Sequence, residues 1–219
     1  MIINIVDSSA MIKKNVWSVN FLFPQDEVKV IDGYSLMKLS ELVDERRKTI
    51  TLTTDYGEVH YVGLENIESR TGRLVDFSIK HGDDIKSNCK VFMNGDILYG
   101  RLRPNLNKVF YNSIFMKGEC STEIIVLTPK KNLVDPIYLS ELLRSEIVNK
   151  RIVNIAKGAS LPRVSMADLK QLQLPIPPLD EQQRISRIII QKRTELEEHI
   201  KRAHQIPIEL SDMLSVSFA

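Results

Sequence analysis

The chain has 219 residues, enough for one domain of roughly 170 residues with its own core and an appended helix. Hydrophobic residues make up 43%, with only nine Gly and nine Pro, which argues for a globular protein and against disorder. Thirty basic and 28 acidic residues leave a net charge of +2, so any contact with nucleic acid has to come from local clustering rather than bulk charge.

Residues 1–32 are weakly patterned, and Trp17, Phe21 and Phe23 form one aromatic group expected in the core. Over Leu36–Arg47, Leu36, Leu39 and Leu42/Val43 recur at three to four residues and basic residues finish the segment, which predicts a helix. From Val59 to Pro129 the pattern changes to period two. Runs at Glu58–Gly63, Val75/Phe77/Ile79, Val91–Met93, Ile97–Tyr99, Lys108–Tyr111 and Glu123–Leu127 are separated by turn pairs such as Thr71-Gly72, His81-Gly82 and Asn94-Gly95. Short strands in such succession imply a twisted, mostly antiparallel β-sheet or partial barrel.

Asp135 as cap and Pro136 at the first position open a helix with Leu139, Leu142, Leu143 and Ile147 on one face, ending near Ala156 with Gly158 as a left-handed cap. Ser165 caps a second, short helix, and Leu172–Ile176 returns as a strand. Pro175, Pro177 and Pro178 then stop the strand. A rod begins at Asp180, whose spacing to Gln183 is that of a capping box. Acids lead it, Lys201, Arg202 and His204 sit near its end, and Pro207 ends or kinks it. From Asp180 to Gln205 the rod is roughly 39 Å long at about 1.5 Å per residue. One face carries Ile185, Ile188, Ile189, Leu196, Ile200, Ala203 and Ile206, interrupted by Lys192. Such a face wants a partner helix, or folds back on its own domain. The expected class is α+β, a sheet domain with flanking helices over 1–178 and a helix over 179–219.

Catalytic signatures are missing: there is no phosphate-binding G-x-x-x-x-G-K-[ST], no G-x-G-x-x-G, no H-E-x-x-H and no G-x-S-x-G. The four histidines are scattered, and Asp83/Asp84 read as solvated loop charge. Cys89 and Cys120 are too few and too far apart for a zinc cluster and are expected to be reduced and structural. Neither a cofactor nor a metal is expected. No apolar run reaches membrane-spanning length, and Met1–Val6 lacks the basic flank of a signal peptide, so a cytoplasmic location is expected.

One basic constellation stands out. Arg101, Arg103 and Lys108, interleaved with Asn105 and Asn107, follow the Ile97–Tyr99 strand, with Pro104 to stiffen the loop and Gly100 to let it turn. Arg matches guanine bidentately, Asn matches adenine, and Lys reaches phosphate. Lys157, Ser160 and Arg163 form a second polar group before the rod. By composition alone both groups are also consistent with ordinary solvated charge.

The stretch Gly158–Ile185, ending P-I-P-P-L-x-E-Q-x-R-I, resembles the junction between a target-recognition domain and its helical conserved region in specificity subunits of type I restriction-modification systems. Leu39-Ser40-Glu41-Leu42, Tyr61–Ile67 and above all Gly95–Val109 are similar to the same family, and the resemblance thins before Leu36. It implies a non-catalytic, half-length form that reads double-stranded DNA for a methyltransferase (modification) subunit and a restriction subunit. S-adenosylmethionine and ATP chemistry would belong to those partners. Full-length members resemble two such units in tandem with antiparallel helices. A single unit is therefore expected to homodimerise through Ile185, Ile188, Ile189, Leu196, Ile200 and Ala203 and to place two recognition domains on a bipartite target. Met213–Ala219 resembles the start of the family's closing segment. A DNA-modifying enzyme with an unrecognised site and a pure interaction module are the rival classes.

Overall fold

The computed structural model describes residues 32–215; Trp17, Phe21, Phe23 and residues 216–219 lie outside them. In chain order the strands are β1 (Ser35–Lys38), β2 (Val43–Glu45), β3 (Thr49–Ile50), β4 (Glu58–Val59), β5 (Tyr61–Val62), β6 (Lys80–His81), β7 (Cys89–Met93), β8 (Ile97–Gly100), β9 (Val109–Tyr111), β10 (Lys117–Ser121), β11 (Ile124–Pro129) and β12 (Gln173–Ile176). The α-helices are α1 (Leu39–Leu42), α2 (Pro136–Arg144), α3 (Glu146–Ile155), α4 (Met166–Lys170) and α5 (Leu179–Ser215).

Two four-stranded sheets, ordered β3-β7-β10-β5 and β2-β11-β8-β9, lie on one another. Alternation on the second sheet explains why β8 and β11 read as nearly unbroken apolar runs. Leu98, Phe110, Ile124 and Val126 face Val62, Phe92 and Cys120 of the first sheet. Ile97, Tyr99, Val109, Ile125 and Leu127 face Leu39, Leu139, Leu143, Ile152 and Leu169 on the helices. Both faces of this sheet are covered, so it is the middle layer of three.

The Asn94-Gly95 turn does not close a hairpin. β7 pairs with β10 and β8 pairs with β11, so the turn carries the chain from one sheet to the other, with Gly95 at φ +88°. Beside it the buried Asp96 carboxylate accepts from Arg46 Nε at 2.7 Å, Thr128 Oγ1 at 2.7 Å and the Met93 amide at 2.8 Å.

Several expected elements differ. Leu36–Arg47 is not one helix but β1, a single turn and β2, because β12 and β11 offer the flanking backbone antiparallel ladders. One turn is enough to bury both Leu39 and Leu42. Val75/Phe77/Ile79 forms no strand; Phe77 instead packs its ring 4.9 Å from that of Phe115. The sequence Lys117–Ser121 gave no strand signal, yet β10 lies between β7 and β5, and a Cβ on Gly118 would collide with the Phe92 ring.

Asp135 caps α2 as expected, accepting from the Ile137 and Tyr138 amides, and Ser165 with Asp168 makes a capping box for α4. The helix expected to run to Ala156 breaks at Ser145 (φ −56°, ψ 144°), which caps α3 and leaves Ile147 74% exposed, off the buried face. α5 starts at Leu179, so Asp180 lies in its first turn rather than at its cap. It continues through Pro207 for 37 residues, roughly 55 Å at about 1.5 Å each.

Candidate nucleic-acid interface

The 101–108 loop and the 157–163 turn meet. The Arg103 amide donates to the Pro162 carbonyl at 2.7 Å, the Val164 amide to the Arg101 carbonyl at 3.1 Å, and Leu102 forms a bridge with Arg163. Lys157 and Arg163 exchange both backbone hydrogen bonds, closing the turn on itself. Across the junction the Arg163 guanidinium donates to both Glu123 carboxylate oxygens at 2.8–3.1 Å, while the Glu123 carbonyl accepts from the Arg101 amide. The Arg163 hydrogen bonds hold the Glu123 carboxyl below the usual carboxylate range, against an opposing effect of burial.

The loop tip is braced from below. Arg103 (φ +48°) and Asn107 (φ +52°) take left-handed conformations on either side of the Pro104–Leu106 turn, which non-glycine residues hold only where the surroundings enforce it. Those surroundings are Asn149 Nδ2 donating to the Pro104 carbonyl at 2.8 Å and Asn107 Nδ2 donating to the Arg144 carbonyl at 2.7 Å. Arg144, which sequence reasoning missed, is itself buried: its guanidinium donates to the Val109 carbonyl and pairs with Glu141 at 2.8 Å. Burial pulls its pKa down, and the Glu141 hydrogen bond resists this. Nothing in the helical pattern of α2 distinguishes Arg144 from a surface cation.

The polar residues singled out by sequence therefore divide. Arg103, Asn105, Lys157 and Ser160 are exposed, with Lys157 paired to Asp168 at 3.0 Å. Arg101 is half-buried, with Lys90 and Glu123 for charged neighbours. Asn107 is buried and Lys108 Nζ donates to the Leu64 carbonyl at 2.7 Å, so both brace the loop; Arg163 is spent on Glu123. Leu106 and Leu161, not singled out by sequence, stand exposed among the outward-facing polar groups. Among the described residues, no group of three or more His, Cys, Asp and Glu could hold a metal ion, and no helix is long and apolar enough to cross a membrane.

α5 leaves the far side of the α2 layer along a polar seam. The buried Gln182 accepts from the Asp135 amide at 2.8 Å and donates to the Pro177 and Leu133 carbonyls at 2.9 and 3.2 Å. Ser186 donates to Asp135 at 2.6 Å, Arg193 pairs with Glu141, and Glu197 accepts from Arg73 at 2.7 Å. Ile185 packs on the domain's own core, which removes it from any free face. Ile188, Leu196 and Ala203 are exposed, and Ile189 and Ile200 half-buried. One stripe at alternating four- and three-residue spacing runs the length of the helix: Gln182, Ser186, Ile189 and Arg193, then Leu196, Ile200, Ala203, Pro207, Leu210 and Leu214. Its polar start faces the domain. Its apolar continuation stays open, with Leu196 40% and Leu210 56% exposed.

Residues 31–203 match a family model described as the type I restriction modification DNA specificity domain. The chain belongs to this family. Within it, the chain is 26% identical over 160 residues to the EcoDI specificity subunit of Escherichia coli, covering 73% of this chain and 35% of that one. It is 31% identical over 132 residues to the HindI specificity subunit of Haemophilus influenzae, covering 59% and 28%. The fold is that of the HsdS subunit of Thermoanaerobacter tengcongensis, with a TM-score of 0.67, 24% identity, and coverage of 80% of this chain and 46% of that one. A chain from a solved type I R-M system gives a TM-score of 0.64 at 25% identity, covering 83% and 46%. This member of the specificity family thus spans about a third of the curated relatives and about half of the solved chains. The matched segment contains both loops and the docked half of α5.

Proposed function

We propose that the chain is a sequence-reading unit of a type I restriction-modification system, with residues 1–178 as a target-recognition domain and 179–219 as a conserved-region helix. It directs a methyltransferase subunit and a restriction subunit to DNA and carries no catalysis of its own; its setting is cytoplasmic. The observation that carries this reading is the junction of the two loops, a braced rim that offers Arg103, Asn105 and Ser160 outward from a scaffold with the family's fold. Arg and Asn are the side chains that match purine edges in the major groove. The apolar stripe from Leu196 to Leu214 supports pairing with a second α5, antiparallel, so that a dimer holds two recognition domains apart on a two-part site.

Selection from random DNA tests the reading. The expected result is two inverted half-sites separated by an unread spacer. Arg103→Ala should cost about 1–3 kcal/mol and relax specificity at one position of each half-site. An undivided site, or binding that ignores this substitution, rejects the assignment. Absence of any salt-dependent DNA binding would favour an interaction module instead.

A further inference from the structure

Two large apolar side chains stand exposed on the rim, one on each of its halves. Leu106 is 37% exposed at the tip of the 101–108 loop, and Leu161 is 42% exposed on the facing turn. Single exposed leucines are ordinary. These two share one joint. Leu106 donates its amide to the Arg103 carbonyl at 2.9 Å, and the Arg103 amide donates in turn to the carbonyl of Pro162, the residue after Leu161. The Leu161 carbonyl accepts from the Arg163 guanidinium at 3.2 Å, and the Lys157–Arg163 pair of backbone hydrogen bonds closes the turn that carries Leu161, so the backbone beneath each leucine is held. Neither side chain can contact a phosphate or complete a hydrogen bond to a base.

Resting on the DNA-reading function proposed above, we infer that Leu106 and Leu161 are specificity-determining residues that each pack on the C5-methyl group of a thymine. The chemistry permits one match. In the major groove the thymine methyl is the apolar feature of the base edges, whereas every other distinguishing group is a donor or acceptor. Arg103 and Asn105 beside them suit guanine and adenine, so apolar tips complete a surface able to tell a thymine from a cytosine. A braced backbone makes the contact selective, because a leucine held in place cannot swing to a neighbouring base.

The test replaces thymine by deoxyuridine, one position at a time, in the site selected by the full chain. Deoxyuridine keeps the pairing edge and O4 and lacks only the methyl. Wild-type protein should bind about fourfold more weakly at two positions per half-site, the loss expected for one methyl contact at each. Leu106→Ala should erase the penalty at one of these and Leu161→Ala at another, with unchanged circular dichroism and an unchanged salt slope. Specific binding with silent deoxyuridine at every position overturns the inference and leaves DNA reading intact. So does a penalty that survives in both variants, or a selected site without thymine. Loss of all sequence-specific binding by wild-type protein instead overturns the functional proposal itself.

Discussion

Glu123 joins the two halves of the rim through its side chain and its carbonyl at once. Its carboxyl titrates below the ordinary value of 4.5, chiefly through the Arg163 hydrogen bonds. A depressed carboxylate contributes its stabilisation fully above the ordinary value and loses it as pH falls through the folded one. Amide protection at Arg103 and Val164 in hydrogen exchange should therefore hold at neutral pH and drop as the solution is acidified below about 4.5. Glu123→Gln should lower protection at pH 7 and remove the acid-dependent drop; a variant with the wild-type profile would show that the pair does not brace the rim. At this scale Asn107 and Lys108 were legible as polar but not as braces. Their partners are the carbonyls of Arg144 and Leu64, 37 and 44 residues away.

At the scale of the element, α5 is a helix with two environments along one stripe. Its root is fastened by Gln182, which meets three backbone groups, whereas Gln183, the residue at capping-box spacing from Asp180, is exposed. Gln182→Ala leaves the Asp135 amide and the Leu133 and Pro177 carbonyls short of a partner and should cost about 1–3 kcal/mol in urea unfolding. Gln183→Ala should stay within about 0.5 kcal/mol. Equal effects would mean that the root is not held this way. Further along, Arg193, Glu141, Arg73 and Glu197 form the outer fastening. At the outer fastening lies a cleft of about 550 Å³, lined by Arg73, Arg193 and Glu197 together with Tyr111, Ile114, Ile137 and Ile190. Such polar fastening suits a helix that must leave the domain, since an apolar seam would pull its whole length down.

For the whole molecule, the proposed pairing of two chains rests on the open apolar part of α5. Ile200→Lys and Leu210→Lys place charges on the unpaired stretch beyond the Glu197 fastening, so each should give folded monomers in analytical ultracentrifugation, with wild-type protein dimeric. Wild-type protein that stays monomeric at high concentration would reject self-pairing and leave the stripe for a helix of another chain. On the proposed pairing, half-site spacing depends on dimerisation, so the monomeric variants should also lose the preference for a divided site while keeping contacts within one half.

By itself the sequence determined the caps of α2 and α4 and the place of several strands. Asp135 before Pro136, Ser165 before Asp168, the short apolar runs of β8 and β11 and the proline stop before α5 are legible locally, from cap chemistry and residue type. The basic loop and the following turn were legible too, as residue types at a spacing. Tertiary structure alone decided what those side chains do. Leu39 and Leu42 sit on one helical turn between strands because β12 and β11, far along the chain, supply ladder partners that a local helix could not outbid. Lys117–Ser121 became a strand because Gly118 fits under Phe92. The rim divided into braces and outward-facing groups because the Arg144 and Leu64 carbonyls, on distant segments, take Asn107 and Lys108 as donors, and a buried carbonyl left without a donor costs about 1–3 kcal/mol.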